Sequence, residues 1–101
     1  MENQHRQIKG YRELSQQEID LMNSIKAKGA EMLALHGHLV EMLQHDSDEK
    51  RRAALKSAPG TDEELNRFMN AEPLRWAAIG KTDIQTGVMA LVRAVAQPDG
   101  V

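Results

Sequence analysis

An all-α fold is predicted by three features of the chain. They are a helix-start signal at Ser15, two long stretches whose apolar residues recur at steps of three and four, and an interior with almost no rings. Hydrophobic residues make up 41% of the 101 residues, but Phe, Trp and Tyr together only 3%. Leu, Ile, Met, Val and Ala must therefore fill the core, which suits packed helices. At this length a single domain spanning residues 1–101 is expected.

The first long helix begins after Ser15, which Glu18 follows at capping-box spacing, so that hydroxyl and carboxylate satisfy two orphan backbone donors reciprocally. Leu14 and Ile19 occupy the staple positions. Met22, Ile25, Gly29, Met32, His36, Leu39 and Leu43 then form a stripe suited to lengthwise packing, which predicts a helix over about residues 16–45. The run His45 to Arg52 is densely charged and Pro59-Gly60 is a break, so a variable connection is expected over about 44–72. Within it Asp48 to Ala58 has helical composition. Thr61 with Glu64 repeats the capping-box spacing and predicts a short helix over about 62–71.

Pro73 suits the first turn of a second long helix, where its missing N–H costs nothing. Leu74, Ala77, Lys81, Ile84, Val88, Leu91 and Val95 continue the rhythm until Pro98. Gly80 and Gly87 lie inside this helix, and each lowers helix propensity by up to about 1 kcal/mol relative to Ala. Close backbone approach or a bound ligand is the expected compensation, and Gly29 invites the same reading. Two long helices joined by a charged connection make an αα-hairpin with one broad apolar face left uncovered on each. A helical homo-oligomer follows, unless residues 1–14 and 46–72 fold back to complete a monomeric bundle.

The charge balance narrows the function. Thirteen Lys and Arg against fifteen Asp and Glu give a net charge of -2, which argues against a general grip on DNA. The absence of cysteine excludes disulfides and thiolate catalysis and fits a reducing cytoplasm. No stretch reaches the roughly 20 apolar residues of a membrane span, and the first residues lack the apolar run of a signal peptide.

Tyr11, the one tyrosine, lies in Lys9-Gly10-Tyr11-Arg12 with Arg6 close by. A ring beside cations can stack a base and neutralise phosphate, or it can plug the end of the hairpin. Lys26 follows the stripe residue Ile25; it reads either as a lysine snorkelling to water or as a point charge for a phosphate at a subunit boundary. Lys28 and Lys81 have the same two readings, and Lys81 is the odder because it falls on the apolar stripe. Trp76 beside Arg75 reads as a core edge or as a stacking and charge site. His36 and His38 point about 200° apart on a helix and cannot share a metal, and no cofactor is expected. Ser15 and Thr61 are explained as caps, so no nucleophile with a base emerges, and the chain is expected not to be an enzyme.

The run from His5 through Tyr11, Ser15 and Glu18 to Ile25-Lys26 resembles the N-terminal signature of the phage anti-CBASS cyclic-nucleotide sponges of the second type. Arg75-Trp76, Lys81 to Gly87 and Met89 to Pro98 resemble the second helix of that family. Residues of about 44–72 carry no such resemblance. The likeness implies a short N-terminal helix plus two long antiparallel helices, assembled as a hexamer with ligand pockets at subunit boundaries. It implies binding without cleavage of a cyclic dinucleotide such as 3′,3′-cGAMP in an infected bacterial cytoplasm, with Tyr11 stacking on a base and Lys26 meeting phosphate. Arg12 is a further candidate ligand-binding residue beside them. The family also holds cyclic trinucleotides, using an arginine that matches Arg75 and a small hydroxyl residue two positions after the phosphate lysine. Here that position is Lys28, a departure that puts the trinucleotide pocket in doubt. The rival readings are a Thoeris-inhibiting sponge for a cyclic ADP-ribose isomer and a helical interaction protein.

Overall fold

A computed structural model of the chain describes residues 12–99. The described residues are all-α, with α1 at Gln16–Leu55, α2 at Thr61–Ala71 and α3 at Pro73–Ala96. The short N-terminal helix implied by the resemblance precedes residue 12 and lies outside the described residues. Together the three elements form an all-α helical hairpin, and among the described residues no helix is long and apolar enough to cross a membrane.

The capping box that opens α1 is formed as the spacing demands. The Glu18 N–H donates to Ser15 Oγ at 3.1 Å, and the Ser15 N–H donates to Glu18 Oε1 at 2.9 Å. The other end of α1 differs from expectation, because the helix continues ten residues beyond 45 and absorbs the charged run. Its charges are compatible with helix since they pair at helical spacing: Arg52 bridges Glu49, and Arg51 Nε donates to Ser47 Oγ at 3.3 Å. The helix stops where Ser57 turns left-handed at φ 55 and Pro59 bars α conformation to the residue before it.

At α2 the expected capping box does not form. Gly60, at φ 81, is the cap residue, and Thr61 is already helical, its hydroxyl donating back to the Ala58 carbonyl at 2.6 Å. Glu64 cannot reach back because two cations claim its carboxylate, Arg67 at 2.5 Å and Lys50 of α1 at 3.6 Å. A non-glycine residue at position 60 would face the left-handed penalty directly. Glu72, at φ 50, ends α2, and Pro73 opens α3; Gln97, at φ 48, and Pro98 close it.

The chain divides into two compact units. The first comprises Met1–Glu31 with Ile84–Val101, of which 12–31 and 84–99 are described. Here the start of α1 lies antiparallel to the end of α3, and Met22, Ile25, Ile84, Val88, Val92 and Val95 are half-buried. Gly29 is buried, and a Cβ placed on it would lie 2.6 Å from Val88 Cγ2. The expected close approach is therefore real at Gly29. At Gly80 and Gly87 nothing among the described residues comes within 4 Å of such a Cβ, so these residues do not make the close approach expected there.

The second unit, Met32–Asp83, contains the rest of α1, all of α2 and the start of α3. Phe68 and Ala77 are the buried hydrophobic residues among those described, and both belong to it. Lys50 lies over the Phe68 ring, 5.4 Å from its centroid, while pairing with Glu64. His36 Nε2 donates to the Ala77 carbonyl at 2.9 Å, so this histidine is spent on holding α1 to α3.

Five expected stripe positions are exposed: Met32 and Leu39 on α1, and Leu74, Lys81 and Leu91 on α3. Leu33 and Val40 take the half-buried places, while Met32 and Leu39 are exposed. On α3 Gly80 and Val92 turn inward in place of Lys81 and Leu91, and Lys81 is exposed, which removes the puzzle of a lysine on the apolar stripe.

Candidate ligand-binding site

The candidate residues fall in both units. Arg12, Lys26 and Lys28 belong to the first, and Arg75 to the second. Tyr11 lies outside the described residues.

Arg12 is the most heavily engaged of them. Its Nε donates to the Ala96 carbonyl at 2.9 Å and its Nη2 to the Val95 carbonyl at 2.8 Å. The same guanidinium forks onto the Glu18 carboxylate, through Nη1 at 3.3 Å and through Nη2. The last carbonyls of a helix have no partner within it, and the negative end of the helix favours a cation, so Arg12 caps α3 from the far end of the sequence. The contact also acts on Glu18. The Arg12 hydrogen bond, helped by the Ser15 N–H, pulls that carboxyl down to about 2. Reciprocally, Glu18 raises the affinity of Arg12 for its proton.

Lys26 and Lys28 flank the inward stripe of α1 on opposite sides. At about 100° per residue, Lys26 sits roughly 70° from the centre of the Met22, Ile25 and Gly29 stripe and Lys28 roughly 90° the other way. One phosphate cannot be met by both from the same helix. Lys28 Nζ pairs with Glu31 at 3.5 Å, with its side chain 81% exposed. Lys26 is exposed, and among the described residues no hydrogen bond or ion pair engages it.

Arg75 pairs with Glu72 at 3.5 Å and covers the exposed Trp76 ring at 5.3 Å from its centroid. Trp76 is 59% exposed, so the core-edge reading is replaced by a surface stacking pair. Among the described residues no three His, Asp or Glu side chains gather as metal ligands do.

Two features escape the sequence reading. The α3 carbonyls that accept from Arg12 lie more than eighty residues away, so nothing local signals those bonds. The second is an outward stripe on α1, where Met32, Leu35, Leu39 and Met42 are 41 to 62% exposed at three-and-four spacing. Its signal was present in the sequence, although two of its residues were assigned to the inward face.

A family model described as the Acb2/Tad1 hairpin domain matches residues 3–96, a span that includes the connection between α1 and α3. The chain is also 61% identical over 107 aligned residues to Anti-CBASS protein 2 of Pseudomonas phage JBD67, and the match covers 99% of each protein. With the paired helices and the capped start of α1 in view, this agreement over nearly the whole chain places it in the Acb2/Tad1 hairpin family.

Proposed function

We propose that the chain is an anti-CBASS protein that acts as a non-catalytic sponge, binding cyclic dinucleotide second messengers and keeping them from their effector. The observation that carries this reading is the 61% identity, over essentially the whole chain, to a phage protein named for its action against CBASS. The ligand chemistry is supported by Lys26, an exposed cation without a partner among the described residues, on the α1 flank. Tyr11 supplies the ring for a base and Lys26 the charge for a phosphate.

Stoichiometric capture requires tight binding. A nanomolar constant corresponds to about -12 kcal/mol, whereas one stacked base contributes about 1–3 kcal/mol. Several protomers around each ligand would provide the remainder, and self-association is supported by the exposed Met32, Leu35, Leu39 and Met42 stripe, an unfilled coiled-coil edge. A homo-oligomer, with the hexamer as its expected form, covers that stripe. The carboxylates of Glu18 and Glu64, which arginine partners hold down to about 2, are poorly suited to act as general bases, since a general base works best near the operating pH. Cyclic trinucleotide binding is the weaker part of the proposal, since Lys28 replaces the small hydroxyl and is paired with Glu31. The place of action is the cytoplasm of the infected bacterium.

The test is incubation with 3′,3′-cGAMP, removal of free ligand, heating, and analysis of what is released. Intact ligand in stoichiometric amount is expected. Linear product would mark an enzyme, and no retained ligand would overturn the sponge reading; a parallel titration with a cyclic ADP-ribose isomer separates the Thoeris-type alternative.

A further inference from the structure

The outward stripe of α1 reads the same in both directions. Met32, Leu35, Leu39 and Met42 follow one another at steps of three, four and three, so the order Met, Leu, Leu, Met and its spacing both survive reversal. The next position at either end, four residues out along α1, is a charge: Lys28 before Met32 and Asp46 after Met42. At about 100° per residue the six side chains fall within about 80° of arc on one unbroken helix. Reversal therefore keeps the apolar side chains matched and exchanges a cation for an anion.

Neither charge is held firmly. Lys28 is exposed and reaches Glu31 at 3.5 Å. Asp46 is half-buried, and among the described residues no hydrogen bond or ion pair engages it. A carboxylate partly withdrawn from water without a cation favours one brought from outside.

A two-fold contact sets residue i against j and j against i, so its surface must complement its own reverse. We infer that α1 pairs with α1 of a second copy, antiparallel and about a two-fold axis level with residue 37. In this register Met32 meets Met42 of the second copy, Leu35 meets Leu39, and Lys28 meets Asp46. Parallel pairing would set Lys28 against Lys28 and Asp46 against Asp46. A slip of one heptad in either direction would set Leu39 against Lys28 or Leu35 against Asp46. Exposed ion pairs add little strength, so the two end pairs fix direction and register while the four apolar residues supply the hold. The inference rests on the self-association in the sponge reading and deepens it, naming the partner face, direction and register of one contact in the assembly.

The chain has no cysteine, so introduced cysteines report this contact alone. Full-length Met32→Cys, and Met42→Cys carrying an affinity tag, are purified singly and as a coexpressed pair. Assembly mass is verified by sedimentation, and the oxidised proteins are read by non-reducing electrophoresis. A disulfide needs Cα atoms within about 7 Å, whereas positions 32 of the two copies would lie about 15 Å apart along the axis. The mixed 32-to-42 dimer is expected from the coexpressed pair, at least tenfold above the homodimer formed by either variant alone. At fixed concentration Lys28→Asp is expected to weaken the assembly several-fold, and Lys28→Asp/Asp46→Lys to return it to within twofold of wild type.

Homodimers from each single variant, no mixed dimer in protein of assembled mass, a monomeric wild type, or a double exchange as weak as the single one would each overturn the inference. Should the cysteine variants fail to assemble, the charge exchange decides by itself. Retention of 3′,3′-cGAMP by the wild type is read separately. Loss of retention with the mixed dimer present sinks the sponge reading and leaves the pairing, whereas retention without the mixed dimer sinks the pairing alone.

Discussion

Replacing Gly29 by alanine should destabilise the first unit even though alanine is the better helix former. The new Cβ would lie 2.6 Å from Val88 Cγ2, and carbon atoms prefer about 3.5–4.0 Å, so roughly 1 Å of separation must be found. Val88 cannot supply it by rotating, because a β-branched side chain in a helix is confined largely to one rotamer. The helices must shift, and overpacking of this kind costs about 1–3 kcal/mol. The gain in helix propensity returns up to about 1 kcal/mol, leaving a net loss of about 1 kcal/mol. For a chain of this size that is a fall in melting temperature of roughly 4–8 °C, read by far-UV circular dichroism at fixed protein concentration. The Gly29→Ala/Val88→Ala pair removes the obstructing methyl groups and should recover part of the loss. A Gly29→Ala protein as stable as wild type, or a double variant that loses the sum of both single changes, would refute the close approach.

Further outcomes follow from the same geometry. Leu35→Glu with Leu39→Glu should reduce the assembly mass in sedimentation equilibrium without loss of helix, because both side chains lie on the outward stripe of α1. Lys26→Ala should weaken 3′,3′-cGAMP binding at least tenfold in calorimetry with the helical content unchanged. Phe68→Ala empties the one large buried side chain among those described and should cost about 3 kcal/mol in urea denaturation. Glu18 and Glu64 are both held down to about 2 from an ordinary 4.5, so their contribution to stability is present above about pH 4.5 and is lost as the pH falls towards 2. Denaturation midpoints between pH 6 and 2 measure this, and Glu64→Gln should flatten part of the slope.

The ends of the helices were legible where a residue's own chemistry sets them. Ser15 with Glu18 starts α1 and Pro73 starts α3, because caps and prolines act locally. The end of α1 was not legible in the same way. Charges read as a solvated break extend the helix instead, since Glu49, Arg52, Ser47 and Arg51 pair along one helix and Lys50 reaches α2. Thr61 shows the converse, because its capping-box spacing is present but Glu64 is diverted to Lys50 and Arg67, partners that local spacing does not weigh.

The misplaced stripe positions share one cause. Strict alternation of three and four assumes a 3.5-residue repeat, whereas a straight helix turns every 3.6 residues and drifts about 20° per heptad against it. One line of half-buried or buried positions on α1 runs 18, 22, 25, 29, 33, 36, 40, 43, 47, 50 and 54, which is 36 residues in ten steps, or 3.6 per step, with 46 and 53 half-buried beside its last part. The extra step of four falls after Gly29, where Val88 comes closest, and it exchanges Met32 for Leu33 and Leu39 for Val40. The exchange also frees Met32 and Leu39 to join Leu35 and Met42 on the outward stripe, so the phase of one helix decides whether those side chains fill the chain's own hairpin or lie exposed.

The candidate site was legible as a set of charges but not as a division of labour among them. Sequence proximity makes Arg12, Lys26 and Lys28 look equivalent, and spatial partners separate them. Glu31 holds Lys28 from one turn away, a pairing that spacing alone allows. The carbonyls that hold Arg12 belong to Val95 and Ala96, which only the folded hairpin brings near. Among the described residues Lys26 is the cation of α1 in the first unit that no hydrogen bond or ion pair engages. Lys28→Ala should therefore alter ligand binding only through Glu31: the released carboxylate is on the far flank from Lys26, and affinity should change less than twofold. A larger loss would mean that Lys28 leaves Glu31 for the ligand, and the division of roles along α1 would have to be redrawn.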